Sequence, residues 1–212
     1  MKKPDIHSLS QRAEEIVAAI DKESIHVYIF LRNQFRERRG SLDPLFHFVY
    51  RSFYRLDNAG LTSQFKAEYF RCLERCRDCN DVDLPGLTRE LYKYPNLKGQ
   101  NSLQFSFVTK LANTVDDSNP IYDSEIARVF KFKPPYHYLS FEDRLSSFVE
   151  FYENLKSYYS SLLREGSCDD IFSCFYKQFP DDALQIPEVK LMDFFFWSAG
   201  KQLATENVQQ GR

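Results

Sequence analysis

Apolar residues recur along this chain at three- and four-residue intervals, and no segment alternates convincingly with period two. A core built from such a chain is built from helices. The clearest case is the stretch from Leu103 to Phe130, LQFSFVTKLANTVDDSNPIYDSEIARVF. Leu103, Phe107, Leu111 and Val115 form one stripe, and Ser102 is placed to cap the helix that carries it. Lys110 projects from the edge of that stripe, where partial desolvation lowers a lysine pKa. Asp116 to Pro120 make a turn, since proline cannot continue a helix and drives the preceding residue out of helical angles. Asp123 or Ser124 then caps a second helix through Ile126, Val129 and Phe130.

This arrangement is similar to the second half of the helix-hairpin-helix DNA glycosylase motif. There, too, a lysine on a helix is followed by a short polar loop, a proline and an aspartate at the next helix start. The resemblance implies that Lys110 is an amine nucleophile and that Asp123 assists it. The interval of thirteen residues between them is shorter than the family pattern, and the nearest preceding glycine is Gly99 rather than a glycine-rich hairpin. The run SFVTKLANTVDDSNPIYDSEIARVF also resembles an uncharacterised bacterial family associated with prophage or defence loci. Its members carry a lysine helix before P-I-Y-D-S and often end in an aspartate-aromatic-tryptophan-glycine-lysine helix, which Leu191 to Lys201, LMDFFFWSAGK, matches. This second resemblance covers Leu45 to Lys201. A plainer reading stands beside both, in which Lys110 is an edge lysine and Asp123 only an N-cap.

With 212 residues, the expectation is an all-α protein of eight to ten helices forming a single or two-lobed domain over 1–203, with a loose polar tail over 204–212. The 20 Phe and 13 Tyr supply large rings for its core. Met1 to Ser10 is polar and no apolar run approaches membrane-spanning length, so no membrane partner and a cytoplasmic location are expected. The longest helix is read at Phe141 to Arg164, stopped by Gly166. Another starts at Asp43-Pro44 and buries Leu45, Phe48, Val49, Phe53 and Leu56. The last runs from Pro187 through Trp197 to about Leu203, with Phe194 to Phe196 in the core and Asp193 and Lys201 on the wet face.

Residues 32–77 hold ten Lys and Arg against five Asp and Glu, while the whole chain carries a formal charge of -2. Arginine chelates phosphate with two parallel hydrogen bonds, so Arg36, Arg39, Arg51, Arg55, Arg71 and Arg75 are the candidate DNA-backbone contacts. Arg51 with Arg55, and Arg71 with Arg75, are spaced one helical turn apart. The alternative is a solvated face neutralised by Glu37, Asp57, Glu68, Glu74 and Asp78. Cys72, Cys76 and Cys79 have a C-x3-C-x2-C spacing that can hold an iron-sulfur cluster, but they also continue the apolar face of Phe65 and Tyr69. The packing reading is preferred, and no metal or cofactor is assigned. Two functions therefore compete: a DNA-binding, glycosylase-like protein acting at a flipped or damaged base, and a non-catalytic helical module of a phage or defence system that binds another protein.

Overall fold

The computed structural model describes residues 1–37, 43–79 and 81–210, with side chains to 206. Among these the protein is all-α and contains no strand. In chain order the helices are α1 (Ile6–Ser10), α2 (Ala13–Ala18), α3 (Lys22–Glu37), α4 (Pro44–Phe53), α5 (Ser63–Arg75), α6 (Leu84–Tyr92), α7 (Phe105–Val115), α8 (Ser124–Val129), α9 (Phe141–Arg164), α10 (Asp169–Gln178) and α11 (Glu188–Gln210). Single 3-10 turns lie at Leu56–Asn58 and Ala183–Gln185. None of the helices is long and apolar enough to cross a membrane.

Local signals set most boundaries. Asp43, Thr62, Asp83, Asp123 and Ser140 each accept a hydrogen bond from a backbone N–H in the first turn of their helix. Such caps satisfy donors that an isolated helix start leaves orphaned. Gly166, at φ +65°, ends α9 in the left-handed conformation that glycine adopts without strain. The expected Ser102 cap is not formed. Helix α7 starts later, at Phe105, and Ser102 Oγ accepts instead from the Gln104 side chain at 2.8 Å. At the far end, α11 continues past Leu203 to Gln210, and Arg12 ties it to the start of the chain through Gln202 at 3.2 Å and Glu206 at 3.0 Å.

The buried face of α4 differs in part from the expected one: Leu56 is buried and Val49 and Phe53 pack half-buried on the core, but Leu45 and Phe48 do not. Phe46 and Tyr50 point inward, while Leu45 and Phe48 are each 59% exposed. Apart from His47, Pro44 to Tyr50 is apolar all round, so spacing alone does not choose a face. The choice is made by what Tyr50 reaches: its hydroxyl bonds the Tyr69 hydroxyl at 2.8 Å and Thr114 Oγ1 at 3.2 Å, while Phe46 packs on Phe35.

α7 and the turn after it pack on α9, and the turn and α8 pack on α11. From α9, Phe148 stacks on Phe105 at 5.5 Å and Phe151 meets the edge of Tyr122 at 5.6 Å. From α11, Phe196 meets Phe130 at 5.2 Å. Offset and edge-to-face pairs of this kind add to the burial of the rings themselves. Gly200 lets α11 reach the backbone of α8, because a methyl group there would stand 2.9 Å from the Glu125 Cα and closer still to its carbonyl oxygen. Gly200→Ala should therefore destabilise the protein by about 1–3 kcal/mol, the usual cost of overpacking, despite its gain in helix propensity. Urea denaturation measures this as a lower midpoint at unchanged slope.

Candidate functional site

The turn after α7 carries non-helical backbone into the interior. Asn119, Ile121 and Tyr122 are buried, so their N–H and C=O groups need partners other than water. Side chains supply them. Asn113 Nδ2 donates to the Asn119 carbonyl at 2.7 Å, and the Tyr122 N–H donates to Thr109 Oγ1 at 3.0 Å. The Ile121 N–H donates to both oxygens of Asp193, each at 3.1 Å. At the start of the turn, Asp116 accepts from the Ser118 N–H at 2.9 Å. The chain is thereby held fixed up to Asp123.

Asp123 divides its carboxylate between two tasks. Oδ1 accepts from the Glu125 N–H at 3.0 Å as the cap of α8, and Oδ2 faces Lys110 Nζ at 3.6 Å. The cap and the lysine partner are therefore the same residue, and the plainer reading does not exclude the chemical one. The Lys110 side chain is 12% exposed and that of Asp123 21%. Lys110 Nζ also lies 5.1 Å from the Phe107 ring centre and 5.9 Å from that of Tyr54. Burial holds the Lys110 ammonium below the ordinary lysine range; Asp123 partly opposes this, and Arg55 reinforces it by like charge. An amine in that state is closer to its nucleophilic, neutral form at neutral pH.

Both residues line a cavity of about 410 Å³, together with Arg55 and with Lys190, Asp193, Trp197 and Lys201 from α11. The segment LMDFFFWSAGK thus folds against the segment PIYDS. Asp193 is not on the wet face as expected: it is 3% exposed and also accepts from the Tyr159 hydroxyl at 3.3 Å. Lys190, which the sequence reading did not single out, is buried one turn earlier with its Nζ 3.8 Å from Asp193 Oδ2. Burial pushes the Asp193 carboxyl above the ordinary carboxylate range and the Lys190 ammonium below the ordinary lysine range, each partly opposed by the other's charge. The available signal was a lysine and an aspartate three residues apart in a helix that is apolar on every side, where both must be buried and therefore paired.

The arginines do not form one footprint. Arg36 shares Asp117 with Arg32, at 2.5 and 2.7 Å; Arg51 pairs with Asp57 at 3.1 Å, Arg71 with Glu68 at 2.7 Å and Arg75 with Glu90 at 2.6 Å. Arg39 lies outside the described residues. Arg51 and Arg71 border a separate open groove of about 680 Å³ with His47, Lys66 and Phe70. Arg55 alone of the set lines the lysine cavity, and its side chain has no hydrogen-bond or ion-pair partner among the described residues. It does not continue α4 one turn beyond Arg51, because its backbone is left-handed at φ +59°. A non-glycine residue held there is strained.

Among the described residues, the one group of three metal-type donors within 4.8 Å of one another is Glu68, Cys72 and Glu90, not the cysteine triplet. Arg71, Arg75 and the Tyr94 hydroxyl already engage these two carboxylates. Burial, reinforced by Glu90, pushes the Cys72 thiol up to about 12, which opposes the thiolate a metal needs.

No family model, no curated protein and no solved structure matches this chain.

Asp193 is tested most directly by substitution. Asp193→Ala leaves the Ile121 N–H without its acceptor and the buried Lys190 without its counter-charge, and should cost roughly 3–5 kcal/mol, as breaking a buried ion pair does. Asp193→Asn keeps an oxygen for Ile121 and should cost clearly less. Urea denaturation of the two variants ranks them.

Proposed function

We propose that the protein binds DNA and acts at a flipped or damaged base in the manner of helix-hairpin-helix glycosylases, with Lys110 as nucleophile and Asp123 as its assistant. One observation carries this reading: a buried lysine of depressed pKa faces a carboxylate at 3.6 Å across the wall of a cavity. A buried amine–carboxylate pair in a cleft is the arrangement that nucleophilic amine catalysis requires.

In the reaction, the neutral Lys110 amine attacks the sugar carbon of the extruded nucleotide. The bond from that carbon to the base breaks, and the base leaves with the electron pair and takes up a proton. Asp123 Oδ2 stabilises the positive charge that develops on the sugar and receives the proton shed by the new C–N bond. Arg55 stands at the cavity as the phosphate contact, and Arg36, Arg51, Arg71 and Arg75 would have to exchange an intramolecular carboxylate for a phosphate.

A competing reading, a helical protein-interaction module without chemistry, is favoured by a different observation. Leu45 and Phe48 stand exposed on the outer face of α4, and four of the candidate arginines are already paired within the chain.

Fluorescence anisotropy with a labelled duplex, intact or bearing an abasic site, separates the two. DNA recognition predicts salt-sensitive binding that prefers the abasic duplex, with Arg55→Ala lowering the slope of log affinity against log salt by about 0.9. Absence of binding at low salt sinks the DNA reading. For the chemistry, base release measured in single turnover should fall on the order of a hundredfold or more in Asp123→Asn. The wild-type rate should rise with pH through a point below the ordinary lysine value, because the neutral amine is the reactive form and burial has lowered its pKa.

A further inference from the structure

Lys190 borders the same cavity as Lys110 yet has no part in the mechanism above. It is 4% exposed, and among the described residues its Nζ makes no hydrogen bond. The nearest carboxylate oxygen, Asp193 Oδ2, is 3.8 Å away, beyond hydrogen-bond reach, and the carboxylate is held toward the Ile121 N–H, with Tyr159 on its other oxygen. The other neighbours of Nζ are the ring faces of Tyr28 at 4.9 Å and Phe194 at 5.0 Å. An ammonium needs three acceptors, and rings replace them only in part. Once deprotonated, an amine at the wall of a cavity large enough for a small molecule has a free lone pair and is equipped for addition to a carbonyl.

We propose that Lys190 is a second carbonyl-reactive amine of this cavity, able to form an imine with a small aldehyde, or with the ring-opened aldehyde of an abasic sugar, without Lys110. The nitrogen lone pair adds to the aldehyde carbon, a proton passes from nitrogen to oxygen, and the resulting carbinolamine loses water to leave a C=N bond. Borohydride then delivers hydride to that carbon and the nitrogen takes a proton, leaving a stable secondary amine. The charged and titratable groups facing Lys190 are Asp193 on its own helix, Lys110 on α7, Asp123 ahead of α8 and Tyr28 on α3. Asp193 and Asp123 favour its ammonium, while burial and Lys110 oppose it, and burial is the largest of these influences. Reactivity therefore rises with pH through a region well below that of an ordinary lysine.

The abasic sugar as the natural carbonyl rests on the DNA reading; the reactivity of the amine does not. The test has two arms accordingly. In the first, folded wild-type protein is incubated at pH 7 with glyoxylate and cyanoborohydride, and adducts are mapped by peptide mass spectrometry, with the exposed Lys98 and Lys133 as internal standards. Lys190 should be modified on the order of ten times faster than either, in the wild type and in Lys110→Ala alike. A Lys190 that stays unmodified, or is modified no faster than the two standards, overturns the proposal, and this arm needs no variant to fold. In the second arm, an abasic duplex is trapped with borohydride. Lys110→Ala should retain a trapped complex mapping to Lys190, and Lys110→Ala combined with Lys190→Met should lose it. Glyoxylate labelling of Lys190 with no duplex trapped by any form supports the reactive amine and rejects the DNA reading. Duplex trapped through Lys110 alone, with glyoxylate avoiding Lys190, does the reverse.

Discussion

The grip of Asp193 on the Ile121 N–H is the interaction on which the site depends. A turn of irregular backbone has been pushed into the interior, where each unpaired amide is costly. It stays there because a carboxylate from a different helix, 72 residues later in the chain, takes its hydrogen bond with both oxygens. That carboxylate must itself be tolerated in an apolar surrounding. Lys190 and the Tyr159 hydroxyl make it so. Asp123 leaves the turn two residues after Ile121, so the position of one aspartate is fixed by another that lies deeper.

The cavity follows from the same arrangement. Asn113, Thr109 and Asp193 hold the turn from two helices, while Gly200 draws α11 onto α8. Largely buried lysines from α7 and α11 then border a single space, where charge is poorly screened and pKa values move. Arg55 joins them from the end of α4 in a strained backbone conformation that glycine would adopt more easily. Strain of this kind persists where the surrounding structure determines the residue's place.

Much of the fold could be read from the sequence wherever the signal was local. α9 runs from Phe141 to Arg164 with Gly166 just beyond, as its pattern indicates, and Asp123, one of the two expected caps, caps α8. Reading failed where two answers were locally equal. α4 is apolar on both sides, and the partner of Tyr50 on α5 decided which side went inward. Asp193 looked solvent-facing because charged residues usually are; its buried partners come from α9 and from the turn before α8, and no short-range pattern shows them. The arginines stood close in the sequence, but nearness along a helical chain does not place side chains on one surface. The left-handed bend at Arg55 leaves no mark in composition at all.

α11 has a consequence for how the molecule comes into being. Lys190, Asp193, Trp197 and Gly200 all belong to it, and it is made after every element that it joins. During synthesis, the segment bearing Lys110 and Asp123 emerges with its buried turn unsupported and the aromatic faces of α8 and α9 uncovered. Long-range closure of this type is slow to form and leaves apolar surface open in the meantime. A nascent chain therefore holds both halves of the lysine–aspartate pair before it holds the helix that walls off the cavity between them.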